Sequence, residues 1–257
     1  MTWYPWRPQT FGMTPLSTPQ VHQFQTDGYV LHRQPVLPAP EFARLKAIFE
    51  EHLAGATRGD SGELDMPHQR DPRLLDFLLA DELLDLVEPV IGPDIGLFAS
   101  AFLSKEPRSG RATPWHEDSF FWEDRFDRMS GIATVWLALD RVDRENGCMR
   151  VLPGTHLDPG AEYEFADLDA NSFDRVVKGD VDESRAVYFE LDPNQCSLHD
   201  ARIIHGAEAN RSDRRRAGYT IRYFNQSLRF NKDHPKNAGH LLWHARGRNV
   251  AGNPVQN

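Results

Sequence analysis

Cysteine is nearly missing from this chain: 257 residues hold only two, Cys148 and Cys196. They stand far apart, without the paired spacing of a zinc knuckle or a redox dithiol, which argues against a disulfide framework and for a reducing compartment. Positive charge is also in deficit. Lys and Arg number 29 against 38 Asp and Glu, a formal net charge of -9, so a general binder of nucleic acid or anionic membranes is excluded and any basic site must be a local cluster. No apolar run approaches the length of a membrane span, and the opening MTWYPWRPQTFGMTP has neither a continuous apolar core nor a small-residue cleavage site. An unexported, cytoplasmic protein is the expectation. Repeats, low-complexity tracts and a convincing domain linker are absent as well.

What is present is an ordinary globular composition, 40% hydrophobic and 26% charged. Residues 1–19, rich in proline and aromatics, read as an extended arm, and residues 20–257 as a single domain. Thr18-Pro19 offers an N-cap and a first-turn proline ahead of a short helix, Gly28 ends it, and Tyr29-Val30-Leu31 reads as a strand. Between 38 and 55, Phe42, Leu45, Ile48, Phe49 and Leu53 recur at helical spacing, and helical patterns follow over 72–79 and 81–91. After Pro93 the chain changes character. Short β-branched or aromatic runs at 96–104, 131–139, 148–152, 186–191, 195–198, 201–204 and 217–224 are punctuated by Gly, Pro, Asn and Asp. The expected fold is mainly β with helical support, a closed or double-sheet architecture behind a helical preface. The acidic, irregular stretch 158–183 suits a surface insertion that acts as a lid.

The stretch Trp115 to Trp122 carries the chemistry. If it is extended, His116 and Asp118 leave the backbone on one face and Glu117 on the other. Alone, such a pair reads equally as solvated surface. His205, however, ends the apolar run Arg202-Ile203-Ile204 and precedes Gly206, where a strand end projects a ligand into a cavity. Two histidines and a carboxylate occupy one face of an octahedral metal and leave the opposite positions open. His199 competes with His205 for the distal position, and the same three donors would also hold zinc in a hydrolase or isomerase.

Four motifs carry a family resemblance: TPWHED (113–118), TVWLALD (134–140), ENGCMRVLPGTH (145–156) and IIHGAEANRSDRRRAGYTIRY (203–223). In their order and spacing the chain resembles the phytanoyl-CoA dioxygenase-like family of Fe(II)- and 2-oxoglutarate-dependent oxygenases, over about residues 21–251. The resemblance implies a double-stranded β-helix (jelly-roll, cupin-like) core braced by N-terminal helices. It implies Fe(II) held by His116, Asp118 and His205, with 2-oxoglutarate and O2 as cosubstrates, and hydroxylation of an unactivated C–H bond coupled to succinate formation. The family's 2-oxoglutarate arginine falls eleven positions after the distal histidine, at Arg216, and a planar guanidinium forks onto a carboxylate as lysine does not. Arg211, Arg214 and Arg215 are its rivals, and a solvated basic turn is the plainer reading for most of them.

Trp122 and Trp136 match positions that line the cosubstrate pocket in the family, with core packing as the alternative. Thr134, on the same strand face as Trp136, and Lys105, at the end of the preceding strand, are further carboxylate partners. Asn146-Gly147 and Pro153-Gly154 are turn signals, so His156 reads as scaffold. Phe120, Phe121, Trp122 and Arg125 suggest an aromatic substrate pocket with a cation for an acidic group. The expected substrate is a small or medium polar metabolite, with no nucleic acid, membrane or obligate protein partner. A catalytically dead jelly-roll binding module is the reading from another class.

Overall fold

The computed structural model describes residues 15–56, 64–108 and 110–257, so most of the expected N-terminal arm lies outside the described residues. The first helix, α1 (Thr18–Asp27), starts inside the range assigned to that arm. Its cap is Ser17 rather than Thr18: the Gln20 side chain turns back to accept from the Ser17 N–H at 2.9 Å and its hydroxyl at 3.0 Å, a capping-box contact that moves the start one residue earlier. Gly28, at φ 81, ends the helix and feeds β1 (Tyr29–His32). Then come α2 (Ala39–Gly55), which buries Leu45, Ile48 and Phe49, the single turn α3 (Leu75–Leu78), and α4 (Asp81–Ile91), which buries Leu83, Leu84, Leu86, Val87 and Ile91.

The β region supplies β2 (Ile95–Lys105), β3 (Thr113–His116), the short helix α5 (Asp118–Phe121), β4 (Ile132–Ala138), β5 (Met149–Val151), β6 (Tyr163–Phe165), β7 (Arg175–Val177), β8 (Val187–Tyr188), β9 (Cys196–Asp200), β10 (His205–Ala207), β11 (Arg216–Asn225), β12 (Leu242–Arg246) and β13 (Val255–Gln256). They form a seven-stranded sheet in the order β1-β9-β4-β11-β2-β12-β13, a four-stranded sheet β3-β10-β5-β8, and the separate hairpin β6-β7. All pairings are antiparallel except that of β13 on β12.

Alternation on the large sheet sets the two faces. Val135, Leu137, Leu198, Tyr219, Ile221 and Tyr223 point outward into one core with the buried faces of α2 and α4. Tyr29, Trp136 and Ala138 point inward and pack with Met149 and Val151 of the small sheet. The two sheets thus close a double-stranded β-helix with helices on one outer face. Each fully buried leucine or phenylalanine on that face contributes about 1.5–3 kcal/mol.

Two expectations fail locally. Residues 201–204 form no strand: the Asp200 carboxylate accepts from the Arg202 N–H and Nε, each at 2.9 Å, and Ile203 N–H returns to Asp200 O. That turn buries Ile203 without a ladder, and the strand begins at His205. Conversely β3, β12 and β13 carry little alternation and exist because neighbouring strands pair with them. Among the described residues, no helix is long and apolar enough to cross a membrane.

Candidate metal centre

His116 closes β3, His205 opens β10, and the two are register partners across the small sheet. Gly206 permits that approach. A Cβ there would stand 2.9 Å from Thr113 O and 3.3 Å from Pro114 O, so only glycine lets the strands lie this close. The stretch after His116 is not a continued strand. Glu117 alone is extended, at φ -108 and ψ 134, and Asp118 starts α5. One extended residue is enough to keep His116 and Asp118 on one side. The donor atoms of His116, Asp118 and His205 all lie within 4.8 Å of one another, and all three residues are buried.

Local hydrogen bonds leave these donors ready. His116 Nδ1 lies 2.9 Å from Pro114 O, and His205 Nδ1 lies 3.0 Å from Ile203 O. Each ring donates Nδ1–H to a carbonyl two residues back, which fixes the tautomer and leaves the Nε2 lone pair free. Burial pushes His116 down to about 3, with His205 adding to it, so the ring stays in its ligating, neutral form. Burial opposes ionisation of Asp118, but Arg222 and the nearby histidines outweigh it and hold the carboxyl below its usual range. Thr134 Oγ1 donates to Asp118 Oδ2 at 3.3 Å, so Thr134 orients the carboxylate. Two imidazoles and one carboxylate fit a six-coordinate transition metal such as Fe(II) with open positions.

A second polar end lies deeper. Along β11, Arg216, Gly218, Thr220 and Arg222 share the inward face, opposite Lys105, Leu103, Ala101 and Ala99 of β2. Arg216 is buried, donates Nε–H to Gly147 O at 3.0 Å and holds its guanidinium 5.4 Å from the Trp136 ring. Among the described residues it has no carboxylate partner, and burial pushes it down to about 10. A buried guanidinium with a backbone acceptor and no counter-ion fits the distal carboxylate of a dicarboxylate such as 2-oxoglutarate. Trp136 packs against Gly218, where a Cβ would come within 2.2 Å of the ring. Lys105, the register partner of Arg216, donates to Glu208 O at 2.6 Å, and burial, then Arg216, pushes it down to about 6.

The rivals of Arg216 are engaged or exposed. Arg214 pairs with Asp143 at 2.6 Å, Arg215 with Glu50 at 2.6 Å and Asp140 at 2.8 Å, and Arg211 sits on the surface. Trp122 stands apart from Arg216: its ring packs edge-on against Phe98 at 5.3 Å, and Arg222 lies over it at 5.5 Å. His199 lies beside His205, the two ring centroids 5.0 Å apart, but it is not one of the three clustered donors. His156 accepts its place as scaffold, with Nε2 3.1 Å from Gln25 O. Arg125 is held by neutral partners rather than lying open on its loop. It bonds Asn237 at 2.6 Å and His240 at 3.0 Å and stacks over Phe98, a correction that loop position alone did not reveal.

Glu117 points away from the three clustered donors, and sequence reasoning missed its partner. Its N–H donates to Tyr163 Oη at 2.7 Å, while its carboxylate accepts from that hydroxyl at 3.1 Å and from Ala161 N–H at 3.0 Å. Tyr163 stacks on Phe120 at 3.7 Å, and Phe173 stands edge-on to His116 at 5.0 Å. The insertion is thus a hairpin seated beside the ligand turn. Glu117→Ala should cost about 1–3 kcal/mol by leaving buried donors unpaired, with faster hydrogen exchange over 163–177. Unchanged exchange there would mean that the hairpin is held by its aromatic contacts alone.

A family model for phytanoyl-CoA dioxygenase (PhyH) matches residues 24–218. The chain is 28% identical over 196 residues to the phytanoyl-CoA dioxygenase domain-containing protein 1 homolog of Caenorhabditis elegans, covering 69% of this chain and 66% of that protein. It is 29% identical over 150 residues to peroxisomal phytanoyl-CoA dioxygenase of Bos taurus, covering 56% and 44%. The chain therefore spans less than two thirds of these relatives' length. Among solved structures, the non-heme alpha ketoglutarate dependent carbocyclase SnoK from nogalamycin biosynthesis superposes with a TM-score of 0.70 at 25% identity, over 88% of this chain and 92% of that one.

Proposed function

Because the chain belongs to the phytanoyl-CoA dioxygenase family, whose members are non-haem Fe(II)- and 2-oxoglutarate-dependent oxygenases, we propose that it hydroxylates an unactivated C–H bond of a small or medium polar metabolite while 2-oxoglutarate is decarboxylated to succinate. One observation supports this above the rest: a buried triad with free Nε2 atoms lies between the same two sheets as a buried arginine that, among the described residues, lacks a counter-ion. A zinc hydrolase has no use for Arg216.

In this reading His116, Asp118 and His205 hold Fe(II), and Thr134 keeps the Asp118 carboxylate in place. Arg216 takes the distal carboxylate of 2-oxoglutarate, with Lys105 beside it and Trp136 as the wall. Fe(II) and 2-oxoglutarate, when bound, supply oxygen activation and the electrons of an oxidative decarboxylation. Phe121 and Phe173, which pack near His116, exclude water from the reacting end. With Asp118 as the third donor the bound metal would keep a carboxylate where chloride would otherwise be needed, which favours hydroxylation over halogenation. Residues 20–257 act as one domain, because β1 and β13 both enter the large sheet. Two buried free thiols suit a cytoplasmic setting.

The test is a screen of small metabolites for substrate-stimulated succinate release with Fe(II), 2-oxoglutarate and O2. Stimulation by at least one free metabolite is expected. Turnover confined to carrier-tethered substrates would overturn the substrate size, and zinc-dependent turnover without succinate would overturn the reaction.

A further inference from the structure

Arg222 lies six residues beyond Arg216 on β11 and faces inward by the same alternation. In the sheet register Arg222 stands opposite Thr134, and Thr134 stands opposite His199. These three polar residues therefore form one row across the sheet, and Thr134 in that row bonds the metal carboxylate. Arg222 has its guanidinium over Trp122, its Nε is buried with no hydrogen-bond partner, and among the described residues it forms no salt bridge. His199 is almost fully buried, and among the described residues neither of its ring nitrogens has a partner. Buried donors of this kind are costly unless something arrives to satisfy them.

Charge balance says what that is. Two positive charges on Fe(II) and one on Arg216 are matched by the Asp118 carboxylate and the two carboxylates of 2-oxoglutarate, which leaves Arg222, the cation in register with Thr134, without a matching anion. Distance separates the two arginines. Six strand residues place their Cα atoms ~20 Å apart, and Arg216 is drawn to Trp136 while Arg222 is drawn to Trp122. A five-carbon dicarboxylate held at Arg216 and reaching the metal does not present the same distal carboxylate to Arg222.

We propose that the oxidised substrate carries a carboxylate and that Arg222, with Trp122 behind it and His199 in the same row, receives that group. This rests on reading the site as an Fe(II)/2-oxoglutarate centre. Arg222 then fixes which carbon of the substrate stands over the metal, beside Phe121 and Phe173.

The test uses the full chain, loaded anaerobically with Fe(II) and saturating 2-oxoglutarate. Acetate, isobutyrate and benzoate are titrated in by calorimetry, each against its neutral amide. At least one acid should bind about tenfold or more tighter than its amide, as expected for a charged hydrogen bond, with the metal–2-oxoglutarate absorption band intact. Arg222→Gln should erase that preference while 2-oxoglutarate still saturates the band, and Arg222→Lys keeps part of the preference. Equal binding of acid and amide, binding of neither included, overturns the proposal. So does a loss of more than about tenfold in 2-oxoglutarate affinity in Arg222→Gln, which assigns the guanidinium to the metal-proximal carboxylate of the cosubstrate. A chain that shows no band but keeps an Arg222-dependent preference for acids contradicts the iron reading and supports the carboxylate site.

Discussion

Asp118→Gly is expected to abolish substrate-coupled succinate formation, a loss larger than the about 10- to 100-fold that follows removal of a metal ligand's outer partner. Asp118 is the sole anionic member of the triad, and its carboxylate stands 3.9 Å from His116 Nε2. Glycine opens a coordination position and also leaves Arg222 and Thr134 without the charge they face. Iron content and succinate release, measured on the same folded sample, separate the outcomes. Retained turnover would show that the metal is held by other residues, with His199 the nearest replacement.

Arg216→Lys should raise the apparent KM for 2-oxoglutarate by about 10- to 100-fold, the equivalent of one charged hydrogen bond, and lower kcat far less. Lysine keeps a positive charge at the end of β11 but loses the planar fork that grips both carboxylate oxygens. A uniform loss of cosubstrate binding moves KM and leaves the later steps alone. An unchanged KM would pass the role to Lys105, because Arg214 and Arg215 are already committed to Asp143, Asp140 and Glu50.

The clustering of His116, Asp118 and His205 follows local rules: His116 and Asp118 are separated by one extended residue, and His205 precedes a glycine that a close strand crossing requires. Arg216 was reached through family resemblance, since four arginines crowd one turn and only the folded register shows which points inward. The helical preface was readable from its periodicity. The strand β3 was not, because Thr-Pro-Trp-His carries no alternation and is a strand by virtue of its partner β10. Arg222 could have been found by counting in twos from Arg216, but its meaning depends on Thr134 and His199 meeting it from two other strands. Arg125 misled for the opposite reason: a loop arginine gives no sign in sequence that Asn237 and His240 wait for it.

The central claim, that this fold holds Fe(II) and 2-oxoglutarate in one cavity, is tested most directly by anaerobic absorption spectroscopy. Adding 2-oxoglutarate to the Fe(II)-loaded chain should produce a weak visible charge-transfer band that saturates at about one cosubstrate per chain, consistent with a single facial triad. It should need both components and weaken in Arg216→Lys. Absence of the band in folded, iron-loaded protein, together with turnover that follows zinc, would contradict the account.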